Sequence, residues 1–241
     1  MEKINLSRLK NCMARAQRGE ELTIGFLGGS ITQGSLATEH ENTYAYRVFT
    51  WWKETFPNGK FHYVNGGIGG TTSHYGVSRA VTDVLMYQPD FVVVDFSVND
   101  EPDEFFQETY EGVIRKLLQW KSEPAVVILN NVFYDTGKTA QDFHNAVGNW
   151  YQVPHVSIKD TLYQEMQGKY TREELTPDGL HPNDKGHKLV AEKIIAFLEE
   201  VRSHVAEPED ELTLPEPMTE NAYENARRLT IREISPELAG F

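Results

Sequence analysis

Five residues of this 241-residue chain have the types and surroundings that acyl-transfer chemistry needs: Ser30, Gly70, Asn99, Asp178 and His181. A serine hydroxyl is a weak nucleophile at neutral pH until a base takes its proton, and the base needs a partner that holds its tautomer. Ser30, His181 and Asp178 can supply those three parts. Asp178 and His181 lie three positions apart in Thr176-Pro177-Asp178-Gly179-Leu180-His181-Pro182-Asn183, close enough for the carboxylate to meet one imidazole nitrogen. Ester cleavage also needs donors aimed at the developing oxyanion. The backbone N–H groups of Ser30 and Gly70 and the side-chain amide of Asn99 are the candidates. A glycine at 70 lets a substrate oxygen approach main chain with no Cβ in the way.

These residues matter together only if the fold gathers them. Compact apolar runs at 22–28, 61–67, 91–97, 125–132 and, more weakly, 155–158 read as buried strands. Between them, helical spacing predicts helices over 43–56, 73–87, 103–121, 139–150 and 183–204, with a further amphipathic helix at 5–18. Near-continuous apolar strands alternating with helices indicate a parallel sheet covered on both faces, and right-handed crossovers make that a three-layer α/β/α sandwich. Sites in such sheets lie beyond the carboxyl ends of the strands. Ser30 follows the first strand, Gly70 the second and Asn99 the third, so all can reach one edge. The expected organisation is an N-terminal helix packed on the domain (1–21), a catalytic domain (22–204) and an acidic, proline-bearing segment (205–241). That last segment reads either as a linker or tail wrapping the surface or as the start of a second domain.

Composition narrows the partners. The formal charge is −13, from 23 basic and 36 acidic residues, with no dense Lys/Arg run, which argues against nucleic acid or an anionic membrane as partner. The single cysteine, Cys12, permits no intrachain disulfide. No apolar run suits a signal peptide or approaches the ~18 residues of a membrane helix, so a cytoplasmic location is expected, with export open if the chain belongs to a longer one.

The four polar blocks, in this order and on these strand ends, resemble the SGNH (GDSL-type) hydrolase superfamily. Ser30 matches the block I serine, Gly70 the block II glycine, Asn99 the block III asparagine, and Asp178 with His181 the Asp-x-x-His of block V; the resemblance runs from about Leu22 to Val201. It implies a flavodoxin-like α/β/α fold with a five-stranded parallel sheet and ester hydrolysis through an acyl-enzyme, with no cofactor and no metal. The family's usual Gly-Asp-Ser reads Gly28-Gly29-Ser30 here. The GGSIT variant is similar to a bacterial branch associated with carbohydrate deacetylation, which implies an acetylated sugar as substrate. A non-catalytic carbohydrate-binding module on the same scaffold and an acyltransferase are the alternatives.

Other residues have simpler readings. His187, six positions after His181 with Asp184 between, suggests a metal site less readily than a solvated first helical turn. Asp100, Glu101 and Asp103 read as acids at a helix N-terminus, where the dipole favours them, ahead of a cation site. Trp51 and Trp52 read as core before sugar platform, while His74 and Tyr75 fit a pocket mouth and a plain helix surface equally. The glycine loops lack both G-x-x-x-x-G-K-[ST] and the third glycine of G-x-G-x-x-G, so phosphate binding is set aside.

Overall fold

In a computed structural model of the protein, which describes residues 4–234, five parallel strands form one sheet. They are β1 (Glu21–Gly28), β2 (Lys60–Gly67), β3 (Phe91–Asp95), β4 (Ala125–Asn130) and β5 (His155–Ser157), in the order β2-β1-β3-β4-β5. This is the flavodoxin-like order, with the chain reversing direction across the sheet between β1 and β3. The register sets Gly28 of β1 beside Gly67 of β2 on one side and beside Asp95 of β3 on the other. The ends of these three strands therefore share one edge.

Two apolar layers hold the sheet. On one face, α1 (Ser7–Gln17), α3 (Tyr44–Thr55) and α9 (Asp184–Ser203) enclose Phe26, Trp52, Val93, Val127 and Ile194. On the other, α4 (Ser73–Asp83), α5 (Glu104–Leu118) and α6 (Gln141–Trp150) enclose Leu27, Val77, Val94, Ile114 and Val147. Alternate residues of β1 and β3 thus feed opposite cores, which is why both read as unbroken apolar runs. Trp51 and Trp52 are core residues, and the Trp51 indole N–H donates to Glu199 (2.7 Å). Four-residue helices complete the fold: α2 (Ser30–Gln33), α7 (Leu162–Glu165), α8 (Arg172–Leu175) and α10 (Ile231–Ile234).

Three elements end earlier than their hydrophobicity predicts. β3 stops at Asp95 and β4 at Asn130, although Phe96 and Val132 are fully buried. The chain turns after Phe96, whose carbonyl accepts from the N–H groups of both Asn99 and Asp100 (2.9 Å each). Ser97 Oγ–H donates across to the Asn131 carbonyl (3.0 Å), so side chains replace the ladder there. Helix α4 ends at Asp83 and is followed by a 3-10 turn, Leu85–Tyr87.

After α9 the chain crosses back over the domain. Glu209 accepts from the Leu6 N–H (2.7 Å) and pairs with Lys10 (3.0 Å). Leu212, Leu214 and Tyr223 pack on the second apolar layer, and the buried Glu111 of α5 accepts from the N–H groups of Met218 and Thr219 (2.5 and 2.9 Å). Arg115 pairs with Glu224 (2.8 Å). Residues 1–3 and 235–241 of the two terminal segments lie outside the described residues. No helix among the described residues is long and apolar enough to cross a membrane.

Candidate active site

Ser30 is the first residue of α2, directly beyond the end of β1. The turn is tight. Gly29 N–H donates to the Asp95 carbonyl of the neighbouring strand (3.2 Å), and the N–H groups of Gly34 and Ser35 return to the Ser30 carbonyl (3.0 Å each). The serine is thereby held, as a buried residue, at the mouth of the sheet.

His181 comes from the loop between α8 and α9. Its Nε2 lies 2.8 Å from Ser30 Oγ, and its Nδ1 lies 2.6 Å from Asp178 Oδ2. The other carboxylate oxygen of Asp178 accepts from the N–H groups of Leu180 (3.0 Å) and His181 (2.8 Å) and from Thr176 Oγ–H (3.1 Å). Partial burial pushes the Asp178 carboxyl up, but the hydrogen bonds from the His181 ring and these backbone donors outweigh it and hold the group well below the usual carboxylate range. An ionised Asp178 only accepts, so Nδ1 carries the proton and Nε2 presents its lone pair to the serine hydroxyl. The loop is fixed at both ends. Asn183 caps α9 by accepting from Gly186 N–H (3.0 Å), and Tyr134 N–H donates to the Gly179 carbonyl (2.8 Å).

The other two candidate oxyanion donors, Gly70 and Asn99, lie in the loops that follow β2 and β3. Gly70 has φ +69°, the left-handed region that favours glycine, and a Cβ there would meet nothing within 4 Å. Its N–H sits in an exposed loop that is tied to α2 through Gly69 N–H and Gln33 Oε1 (2.8 Å). Asn99 presses its carboxamide against Gly29: a Cβ at position 29 would lie 2.2 Å from Asn99 Oδ1 and 3.3 Å from Nδ2. That close approach accounts for the second glycine of Gly28-Gly29-Ser30. An aspartate there would displace Asn99.

Two readings of single residues need correction. His187 is not solvated; it is completely buried. Its Nδ1 accepts from Tyr44 N–H (3.3 Å) and its Nε2–H donates to the Ser35 carbonyl (3.2 Å). Burial pushes its pKa down to about 4 despite the Ser35 carbonyl, so it stays neutral. The hydrogen bonds of the Asp184 carboxylate go elsewhere: it accepts from Thr38 N–H and Oγ–H (2.8 and 2.6 Å) and from Asn42 Nδ2 (3.1 Å). Asp103 does cap α5, accepting from Phe106 N–H (2.9 Å), but Asp100 is buried and pairs with His144 (3.0 Å). His74, in the first turn of α4, is exposed and packs edge-on against Phe105 and Tyr223.

Other contributors escaped the sequence reading. Arg79, buried on α4, donates to the carbonyls of Gly66 and Gly28 and to Thr71 Oγ (3.1 Å), tying the ends of β1 and β2 beneath the Ser30 and Gly70 loops. Asp95, at the end of β3, accepts from Asn131 Nδ2 (2.9 Å) and Thr32 Oγ–H (3.2 Å). Burial pushes its carboxyl up to about 7 against the pull of those two donors. Charged residues inside apolar stretches were the available signal for both.

Fold and site together place a Ser30–His181–Asp178 hydrogen-bonded line at the carboxyl edge of a flavodoxin-like parallel sheet. A family model of GDSL-like lipases and acylhydrolases matches residues 26–189, and the chain belongs to that family. Among solved structures it is similar to a two-domain esterase (CEX) active on acetylated mannans, with 50% identity, a TM-score of 0.91 and 93% of this chain covered. The same esterase co-crystallised with mannopentaose gives 50% identity, a TM-score of 0.88 and the same coverage. The chain spans about 60% of the length of those two-domain proteins (61% and 60%). A catalytic mutant of Axe2, an acetylxylan esterase from Geobacillus stearothermophilus, shares the fold at 15% identity and a TM-score of 0.63, with 73% of this chain and 94% of that one covered. No curated protein matches the chain.

Proposed function

We propose that this chain is a serine esterase that removes acetyl groups from a polysaccharide, with acetylated mannan as the first substrate to test, and that it works through an acyl-enzyme. The observation that carries this reading is the unbroken line Ser30 Oγ, His181 Nε2, His181 Nδ1, Asp178 Oδ2, at 2.8 and 2.6 Å. As Ser30 Oγ bonds to the acyl carbon, its proton passes to His181 Nε2, and Asp178 stabilises the imidazolium. The carbonyl oxygen, now negative, accepts from the N–H groups of Ser30 and Gly70 and from Asn99 Nδ2. Collapse breaks the bond to the sugar oxygen, which takes the proton from His181. Water, deprotonated by the same nitrogen, then attacks the acyl group; the bond to Ser30 Oγ breaks, the serine takes its proton back from His181, and acetate leaves.

The substrate class rests on the 50%-identical esterase active on acetylated mannans. An open rim also supports a polymer: the Asp178 side chain is 46% exposed and Gly70 lies on the surface, so a chain can cross the site. In this reading 22–204 is the hydrolase domain, and 205–241 is a further segment whose described part, to residue 234, returns across it. The deciding experiment is acetate release from acetylated mannan, with acetylated xylan beside it, combined with fluorophosphonate labelling. Turnover with label on Ser30 supports the proposal. Mannan binding with neither turnover nor label would leave only a binding module, and acetyl transfer to an added alcohol in preference to water would make the enzyme a transferase.

A further inference from the structure

The buried carboxylate next to Asn99 has no part in the steps above, yet it joins the two loops that carry the oxyanion donors. Asp100 is 3% exposed. One of its oxygens accepts from Ser73 N–H (2.8 Å) and the other from His144 Nε2–H (3.0 Å). Ser73 is the first residue of α4, three positions after Gly70, and its hydroxyl pairs with Thr109 of α5 (2.7 Å). His144 is itself immobilised: its ring stacks on Tyr110 with centroids 3.6 Å apart and planes within 2°.

This arrangement is more costly than helix capping requires. The first N–H groups of a helix need acceptors, and a side chain at the preceding position normally serves. Thr72 holds that position and makes no such bond. A side chain at 72 would serve the second or third N–H of the helix; the first, that of Ser73, finds its acceptor in a different loop, one peptide unit from Asn99, at the expense of burying a carboxylate. The same carboxylate therefore sets the start of α4, and with it the end of the Gly70 loop, relative to Asn99.

We infer that Asp100, held by Ser73 and His144, is a positioning residue that fixes the spacing between the Gly70 N–H and the Asn99 amide. The inference rests on the oxyanion roles proposed above. An oxyanion hole works because its donors are in place before charge develops, so loosening their spacing lowers kcat and leaves substrate binding alone.

The test is a double-mutant cycle on the full chain with p-nitrophenyl acetate, using Asn99→Ala, Asp100→Ala and the pair. Asp100→Ala is expected to lower kcat ~10²-fold with KM nearly constant, the scale of losing one donor. Added to Asn99→Ala, it should cost no more than about 10-fold further, because part of what it positions is already gone. Asp100→Asn keeps an oxygen for Ser73 N–H and should recover about 10-fold of the lost kcat. If Asp100→Ala does not fold, the same cycle with Asp100→Asn decides. Losses that multiply in full, or an Asp100 effect confined to KM, overturn this inference and leave the esterase reading standing. Unchanged kcat in Asn99→Ala instead removes the oxyanion reading, and this inference with it.

Discussion

His181 and His187 stand six residues apart, and the structure uses them in opposite ways. His181 lies in a loop, its side chain 24% exposed, with one nitrogen on Ser30 and the other on Asp178. His187 lies one turn into α9 and is sealed from water, with one nitrogen on the Tyr44 N–H and the other on the Ser35 carbonyl. The first holds ionisable partners at an open rim, where a proton can arrive and leave. The second bonds only to main chain in the interior, where a charge is too costly to form. Both serve the same serine. His181 meets its hydroxyl, and His187 pins Ser35, whose N–H returns to the Ser30 carbonyl. Imidazole is chemically the same at both positions. Exposure and the partner on the far nitrogen set the two apart: one faces a serine and a carboxylate at the rim, the other only main chain in the interior.

That contrast can be broken by experiment. Ser30→Ala removes the group that the exposed histidine addresses, and kcat for acetyl ester hydrolysis should fall by up to ~10⁶-fold, the scale of losing a triad nucleophile. A variant that turns over like the parent ends the assignment of the rim. Asp178→Asn leaves the shape but removes the acceptor that keeps the Nδ1 proton in place, and a loss of ~10⁴-fold is expected, as in triads whose imidazole adopts the wrong tautomer. Because Asp178 is half-exposed, a much smaller loss would mean that water can replace it, which would sharpen the comparison. Asn99→Ala, on the donor side of the serine, should cost ~10²–10³-fold in kcat.

The smallest effect on activity belongs to the buried partner. His187→Asn should change kcat little but should destabilise the fold by about 1–3 kcal/mol at pH 7, since the Tyr44 N–H or the Ser35 carbonyl loses its partner. The pH dependence has a definite sign. In the unfolded chain the imidazole takes a proton near pH 6.5, whereas in the folded chain it resists to about 4. Below 6.5 the unfolded state binds the extra proton, so the stabilisation from His187 is lost as pH falls from about 6.5 towards 4. Asp95 runs the other way. Its carboxyl keeps its proton to about 7 in the fold, so its contribution declines as pH rises from about 4 to 7. Chemical denaturation of parent and His187→Asn across this range isolates the histidine, and the stability gap should narrow as the solution is acidified. A gap independent of pH would mean that His187 is not buried as a neutral ring.

Much of this was legible before any coordinates. The five strands, the helices between them and the parallel order follow from apolar runs interrupted by glycine and proline. Ser30, Gly70 and Asn99 stood out because polar and glycine-rich blocks rarely follow buried strands without a use, and Asp178 with His181 because a carboxylate and an imidazole three positions apart can meet on one turn. The reading failed where a polar residue was judged by its neighbours in the chain. Asp100 looked like one more acid before a helix, since Asp103 and Glu104 are such acids, yet its partners are Ser73 and His144, 27 and 44 positions away. His187 looked solvated because it falls in the first turns of a helix with Asp184 close by in sequence, while the helix turns it inward.

The sequence by itself determined which groups could react and which strand ends would carry them, because hydrophobic periodicity and strand-to-helix order are local properties of the chain. Tertiary structure alone decided the rest: that Ser30 and His181 stand within hydrogen-bonding distance across 151 positions, that Asn99 fills the space over Gly29, and that one imidazole faces the rim while its neighbour is buried and stays neutral. Distance, burial and the partner on the second ring nitrogen depend on which remote segments pack together.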